Sequence, residues 1–293
     1  MNAYFALLAV LETGSFTSAA KQLGYTQSAV SQLVHTVEAD LETQLIIRSR
    51  TGVTLTPDGE QYLPFIRSIC NANRELHEKK KEMQGLERGT IRIGTFSSVA
   101  CHWLPQWMKE FKIQYPNVRF EIHLGDYTDI ENLIKEGVVD FGFVNPDAVT
   151  QLEMIPIKQD EMLACLPPNH HLEMRDKVLL QELLEEPYIL LDEGAVSEPL
   201  NVFHRHQFEP KIEYRVQDDY AIMSMIEQGL GLSILPSLIL ERLQYNIVTK
   251  SIEPQVMRTI SIAYKEKSIL PITSRYFIDF IVAKGTESVI SER

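Results

Sequence analysis

Apolar residues at helical spacing open the chain. Tyr4, Phe5, Leu7, Leu8 and Leu11 recur three to four positions apart until Gly14-Ser15 interrupts them. A second short stretch, with Ala19, Ala20 and Leu23 as its apolar positions, predicts a helix that Ser18 caps and Gly24-Tyr25 ends. Thr26 then stands where an N-cap belongs, because a hydroxyl there accepts from the unbonded amides of the following turn. The third helix is expected to run to about residue 40. Gln27, Ser28, Ser31, Gln32 and His35 fall on one of its sides, and Val30, Leu33, Val34 and Val37 on the other. Residues 45–47 and 53–55, around Arg48-Ser49-Arg50-Thr51-Gly52, predict a short hairpin. Residues 1–58 therefore carry the pattern of a winged helix-turn-helix.

The period then changes. Thr56 can cap a long helix that has Pro57 at its first position, where a missing amide donor costs nothing. Tyr62, Ile69, Leu76 and Met83 recur every seven residues, with Phe65 beside them, and such a seam calls for a partner helix. Residues 59–87 are thus expected to form a linker and dimerisation helix, kinked or restarted at Pro64, whose ring removes a hydrogen bond. Beyond it strands and helices alternate: strands at 90–95, 119–124 and 141–144, helices at 100–113 and 129–136. Further strands are expected at 162–166, 188–191, 212–216, 232–235 and 259–264, and a helix after Pro271. This is an α/β pattern, of the kind that builds a mostly parallel sheet with helices on both faces.

Composition adds limits. The 293 residues carry a formal charge of −12 and are 44% hydrophobic, an ordinary globular balance with material for more than one core. Residues 1–58 hold three basic side chains (Lys21, Arg48, Arg50) against five acidic ones, and most of the acidity lies beyond residue 89. Cys70, Cys101 and Cys165 are far apart and odd in number, which reads as free thiols in a cytoplasmic protein. The N-terminus has no signal-peptide pattern, and without a long apolar run no membrane role is expected.

The polar side of the third helix is the sharpest chemical signal. An α-helix fits the major groove, where Gln can pair with adenine through two bonds and Ser or Thr can reach a base edge or phosphate. The candidate DNA contacts are Ser18, Thr26, Gln27, Ser28, Ser31, Gln32, His35, Arg48 and Arg50. An exposed helix in a bundle has the same periodicity; the preceding short helix and following hairpin favour DNA. In α/β sheets ligands sit beyond the carboxyl ends of strands, so Thr95, Ser97 and Ser98, between the first strand and its helix, are candidates for a binding turn or for plain helix caps.

The stretch FTSAAKQLGYTQSAVSQLVHTVEADL at residues 16–41, with Arg48 and LTPDG at 55–59, resembles the DNA-binding head of the LysR-type bacterial transcriptional regulators. Weaker matches follow in the family's order: GTIRIGTFSS, VVDFGFVN, PPNHHL and GLGLSILP. The resemblance implies a two-lobed effector-binding domain like the periplasmic solute-binding proteins over residues 88–293, with lobe I at 88–161 and 266–293 and lobe II at 162–265. It implies a homodimer or homotetramer joined through Tyr62, Phe65, Ile69, Leu76 and Met83, and a small-molecule effector, an anion being one option. The hydroxyl-rich turn would form one wall of the pocket, with the segments near Asn145, Ser197 and Gln217 as others. Ser28, Gln32, Leu33 and His35 depart from the family's usual Pro and Arg on the third helix. Counterion release scales with the phosphates neutralised, so a head this poor in basic residues should bind duplex weakly alone and rely on paired heads.

Enzyme-like features have plainer readings. His170-His171 and His204-x-His206 lack the ligand density of a zinc site, and Gly229-Leu-Gly231 lacks the third glycine of a dinucleotide loop. Cys101 and His102 are helix neighbours that point apart, and Cys165 sits in an apolar strand as a core thiol. Lys79-Lys80-Lys81 reads as a solvated face. No cofactor, metal or catalytic activity is expected. The competing reading is a cytoplasmic solute-binding or sensor protein whose N-terminal helices serve assembly.

Overall fold

The computed structural model describes residues 2–49, 52–82, 89–192, 194, 196–242 and 244–291. They fall into two compact units: residues 1–85 with 136–138, and residues 86–135 with 139–293. Arg50, Met83 and the boundary expected at 87/88 lie outside the described residues.

In the first unit three helices, α1 (Asn2–Thr13), α2 (Phe16–Leu23) and α3 (Gln27–Asp40), precede a hairpin of β1 (Ile46–Ser49) and β2 (Gly52–Leu55) and the long α4 (Pro57–Glu82). Leu7, Val10, Phe16, Ala19, Val30, Val34, Val37, Leu45, Ile46 and Ile66 form its buried core. The cap of α2 is Ser15 and not Ser18: extended backbone after Gly14 lets the Ser15 hydroxyl accept from the Ser18 amide at 3.4 Å, which leaves Ser18 inside the first turn. Thr26 caps α3 as expected, accepting from the Ala29 amide at 3.2 Å. β1 and β2 pair antiparallel from Ile46 opposite Leu55 to Ser49 opposite Gly52. Thr56 accepts from the Gly59 amide at 2.9 Å and donates to the Gln44 carbonyl at 2.7 Å, pinning the start of α4 to the hairpin. A Cβ on Gly59 would collide with the Leu45 carbonyl oxygen, so that close approach requires glycine. α4 runs unbroken through Pro64, so of the two expected outcomes, a kink or a restart, the restart does not occur. The Glu60 carbonyl that Pro64 deprives of a donor lies on an exposed stretch, where water can satisfy it.

The second unit opens with β3 (Thr90–Thr95), α5 (Ser97–His102), α6 (Leu104–Gln114), β4 (Arg119–Leu124), α7 (Tyr127–Lys135) and β5 (Phe141–Val144). The single helix expected at 100–113 is two helices, because Pro105 in the first turn of α6 cannot supply an amide to a continuous helix. There follow β6 (Glu153–Leu166), β7 (Lys177–Leu179), β8 (Tyr188–Leu191), α8 (Glu198–Arg205), β9 (Ile212–Val216), α9 (Asp219–Glu227), β10 (Ser233–Pro236), α10 (Ser237–Leu240), β11 (Val248–Tyr264) and α11 (Ile272–Ser291). The main sheet has the order β10-β6-β11-β5-β3-β4, with β7 against β11. It is mixed where a mostly parallel one was expected: β3 is parallel to β4 and β5, while β11 is antiparallel to β5 and β6 and β10 is antiparallel to β6. β8 and β9 form a parallel pair of their own.

Two lobes result, joined by the β6–β11 ribbon. One core gathers Ile91, Ile93, Phe111, Phe141, Phe143 and Phe277; the other gathers residues such as Met162, Leu166, Tyr188, Phe203 and Ile234. β11 changes core part-way, since Ile252 and Val256 pack in the second core but Ile260, Ile262 and Tyr264 in the first. The return crossing therefore lies near residue 258 and not at 265. Gly231, at φ +158°, lets β10 start against the Pro187 carbonyl, which a side chain would hit.

Candidate functional site

The two faces of α3 separate as the pattern predicts. Val30, Val34 and Val37 are buried, while Gln27, Ser28, Gln32 and His35 are exposed and Ser31 is half-buried. Thr26 and Ser28 share a hydroxyl bond of 3.1 Å at the helix start. Arg48 lies on β1 itself, where its guanidinium sits 4.0 Å over the Phe16 ring and donates to the Ser31 hydroxyl at 3.1 Å. That stacking ties the hairpin to α3 and holds an exposed cation beside the polar ridge. Ser18 is exposed on α2. The unit thus presents polar side chains on α3 and, beside them, a cation held from β1.

On α4 the heptad positions divide. Tyr62 packs in part against the core of its own unit, beside the fully packed Ile66, so it is not wholly available to a partner. Phe65, Ile69 and Leu76 remain exposed, Phe65 at 68% and Leu76 at 67%. These three apolar side chains fall on one face of α4 and are open to solvent.

In the second unit a cleft of about 300 Å³ opens between the lobes. The first lobe supplies Phe96, Ser97 and Ser98 from the start of α5, and Asp126, Tyr127 and Asp129 from the start of α7. The second supplies Leu191 and Asp192 after β8, and Gln217, Asp218 and Asp219 at the start of α9; Arg258 of β11 lies between. Of the predicted pocket residues Ser97, Ser98 and Gln217 line the cleft. Thr95 is wholly buried behind it. Ser197 caps α8, accepting from the Leu200 amide at 3.4 Å. Asn145 is buried and spends its amide on Glu198 at 2.9 Å.

Arg258 faces Asp160 across the ribbon in direct register. Its Nε and Nη2 donate to Asp160 Oδ2 at 2.9 and 2.7 Å, and Nη2 also donates to the Ser98 hydroxyl at 2.8 Å. Asp160 in turn accepts from the Ser237 hydroxyl and the Leu238 amide, at 2.7 and 3.1 Å. A buried ion pair is tolerable only when its remaining lone pairs and protons are satisfied in this way. Tyr127 donates to Glu198 at 2.7 Å, so Glu198 of the second lobe receives two bonds from the first. Asp219 is 8% exposed, and burial pushes its carboxyl up to about 6 against the pull of Arg258.

The sequence reading missed the acidic lining, Tyr127 and Arg258. Asp126 and the Asp218-Asp219 pair stand at strand-to-helix turns, the same signal that selected Ser97, and could have been found by it. Arg258 sits mid-strand with nothing to mark it. The histidine pair has a third neighbour: His170, His171 and Glu186 bring ligand-capable atoms within 4.8 Å of one another. His170 Nδ1 accepts from the Leu172 amide at 3.3 Å, as a helix-cap imidazole does, and burial holds its value below that of an ordinary histidine. Cys101 is exposed while the His102 side chain is buried, and burial pushes Cys165 up to about 12.

The family described as bacterial regulatory helix-turn-helix protein, lysR family, matches residues 1–60, and the LysR substrate binding domain matches residues 84–286. This chain belongs to the LysR family. It is a LysR-type transcriptional regulator with a helix-turn-helix domain and an effector-binding domain, from a family of regulators and not of enzymes. The uncharacterised HTH-type transcriptional regulator YvbU of Bacillus subtilis is 32% identical to it over 273 residues, 92% of this chain and 93% of that one. Full-length CbnR complexed with its target DNA is 20% identical at a TM-score of 0.69, covering 97% of this chain and 99% of that one. The effector-binding domain of QuiR in complex with shikimate is 23% identical at a TM-score of 0.62, covering 68% of this chain and 98% of that one. These two structures bear on the fold alone. No helix among the described residues is long and apolar enough to cross a membrane.

Proposed function

We propose that this LysR family member reads operator DNA with α3 and answers to a small molecule held in the cleft between its effector lobes. The observation that carries the reading is the exposed ridge of Gln27, Ser28, Gln32 and His35 on a helix whose other face buries Val30, Val34 and Val37. In the major groove Gln27 and Gln32 read base edges, Thr26, Ser28 and Ser31 reach base edges or phosphate, and Arg48 contributes the fixed cation. Ser18 and Arg50 supply backbone contacts. The CbnR complex with target DNA supports this use of the fold. The exposed Phe65, Ile69 and Leu76 support a homodimer through α4, with Met83 continuing the seam, and pairs of dimers as a homotetramer. Scarce basic charge on each head makes paired binding necessary. The effector contacts Ser97, Ser98 and Gln217, which line the cleft; that the QuiR effector-binding domain is in complex with a small molecule, shikimate, supports this use of the fold. Thr95, Asn145 and Ser197 act from the neighbouring segments. The protein works in the cytoplasm and catalyses nothing.

The test replaces Gln27, Ser31 and Gln32 together with Ala. Genomic fragments retained by the unaltered protein should lose at least a hundredfold in affinity, while sedimentation shows the same oligomer. Unchanged retention by the triple variant would overturn the reading by α3, and failure of the unaltered protein to retain any specific fragment would leave the sensor reading, in which the head serves assembly only.

A further inference from the structure

Five aspartates line the cleft, and the one cation there among the described residues is already matched. Arg258 commits Nε and Nη2 to Asp160 and Nη2 also to Ser98, so its charge is balanced inside the wall before any ligand arrives. Helix starts favour anions when their amides are open. Here the starts of α7 and α9 bring their own carboxylates. Asp126 accepts from the Asp129 amide at 2.8 Å, and Asp218 accepts from the Ala221 amide at 2.8 Å. Those bonds account for Asp126 and Asp218 as caps.

Asp219 is not accounted for in that way. It is more than nine-tenths buried and lines the cleft, and among the described residues no donor from another residue bonds its carboxylate. Resting on the reading of this cleft as the effector site, we propose that it takes a small ligand bearing a cationic nitrogen, with Asp219 as the counter-charge and Asp192 as a second acceptor. Phe96, Tyr127 and Leu191 give the ligand body an apolar surface, and about 300 Å³ limits it to metabolite size. A divalent metal fits less well. Three or more ligand-capable groups within 4.8 Å occur among the described residues only at His170, His171 and Glu186, and not in the cleft.

The experiment titrates the full-length protein, by calorimetry and thermal unfolding, with 1,4-diaminobutane, L-arginine and phenethylamine. Succinate, phenylacetate and calcium chloride serve as opposed probes. At least one amine should bind and raise the unfolding midpoint, and Asp219→Asn should weaken that amine tenfold or more. Asp192→Asn, at a less buried site, should weaken it several-fold. Amine binding that Asp219→Asn leaves unchanged, tighter binding of succinate or phenylacetate, protection by calcium in place of the amines, or no response to any amine each overturns the proposal. An anion whose binding is lost in Gln217→Ala would overturn the charge assignment and keep the cleft as the effector site. Binding of any of these probes that a Gln217→Ala and Asp219→Asn double variant leaves at full strength would instead remove the cleft itself as the effector site.

Discussion

Asp219 occupies the first position of α9, where the helix start and Arg258 favour its charge while burial opposes it more strongly and Asp218 adds repulsion. Its carboxyl accordingly stands at about 6, against an ordinary 3.8. Asp126, Asp129 and Asp192 line the same cleft, Cys165 of β6 lies within electrostatic reach, and the neighbouring Tyr220 is itself pushed up to about 12, first by its bond with Cys101. Below pH 4 the folded and unfolded chains both hold the proton. Between about 4 and 6 only the folded chain holds it, so this residue removes stability as pH rises through that window and the loss is complete above it. Two units correspond to on the order of 3 kcal/mol. Asp219→Asn should therefore unfold at higher urea than the unaltered protein at pH 7 and show no such gain near pH 4. A difference between the two proteins that does not vary with pH would contradict the assignment. Nothing in the order of residues announced this. Gln217 was legible because it follows a strand, but whether Asp218 or Asp219 is the buried one depends on packing against β6 and β11, which the local pattern does not contain.

The described part of α4 does two jobs on two faces. Tyr62 and Ile66 anchor it to the core of the first unit, and Phe65, Ile69 and Leu76 stay bare. The heptad was legible from spacing, but the assignment of Tyr62 to the seam was incomplete because a seven-residue repeat does not reveal which turn is claimed by the chain's own core. Substitutions separate the roles. Leu76→Lys should lower the self-association constant at least tenfold in sedimentation while the urea midpoint of a dilute sample stays within error. Ile66→Ala empties a buried site and should cost about 2–4 kcal/mol of stability. If Leu76→Lys destabilised the fold and left association intact, the exposed stripe would not be an interface. α3 was the most legible element, since the spacing that sets Val30, Val34 and Val37 apart from Gln27, Ser28, Gln32 and His35 is the one its burial follows. β6 and β11 were read only at their apolar ends, because the ribbon between carries Lys158, Asp160, Glu161 and Arg258, and strands with polar residues at a lobe crossing lose the alternation that identifies them.

The two effector lobes have separate cores, bridged by Leu238 of α10, which packs into the core of the first while Ile239 and Leu240 pack in the second lobe; the ribbon, that contact and polar bonds hold them around the cleft. Glu198 is the centre of those bonds. It is 6% exposed and accepts from Tyr127 of α7 at 2.7 Å and from Asn145 after β5 at 2.9 Å, both in the opposite lobe. The Tyr127 hydroxyl also accepts from Nη1 of Arg258 at 3.4 Å, which links the ribbon to Glu198 through the tyrosine. Tyr127 lines the cleft and Asn145 does not, so Asn145 probes lobe attachment without touching the ligand surface. A hydrogen bond to a charged group contributes about 1.5–3 kcal/mol. Asn145→Ala should lower stability by about that much, and hydrogen exchange should quicken at the start of α8 while amides of α1 to α3 keep their protection. Asn145→Asp sets a second carboxylate against Glu198 and should destabilise further at pH 7, with the excess recovered as acid neutralises the pair. The sign of that recovery is diagnostic: a carboxylate that merely capped the turn at Pro146 would lose stability as pH falls, because protonation weakens the cap, whereas one facing Glu198 must regain stability.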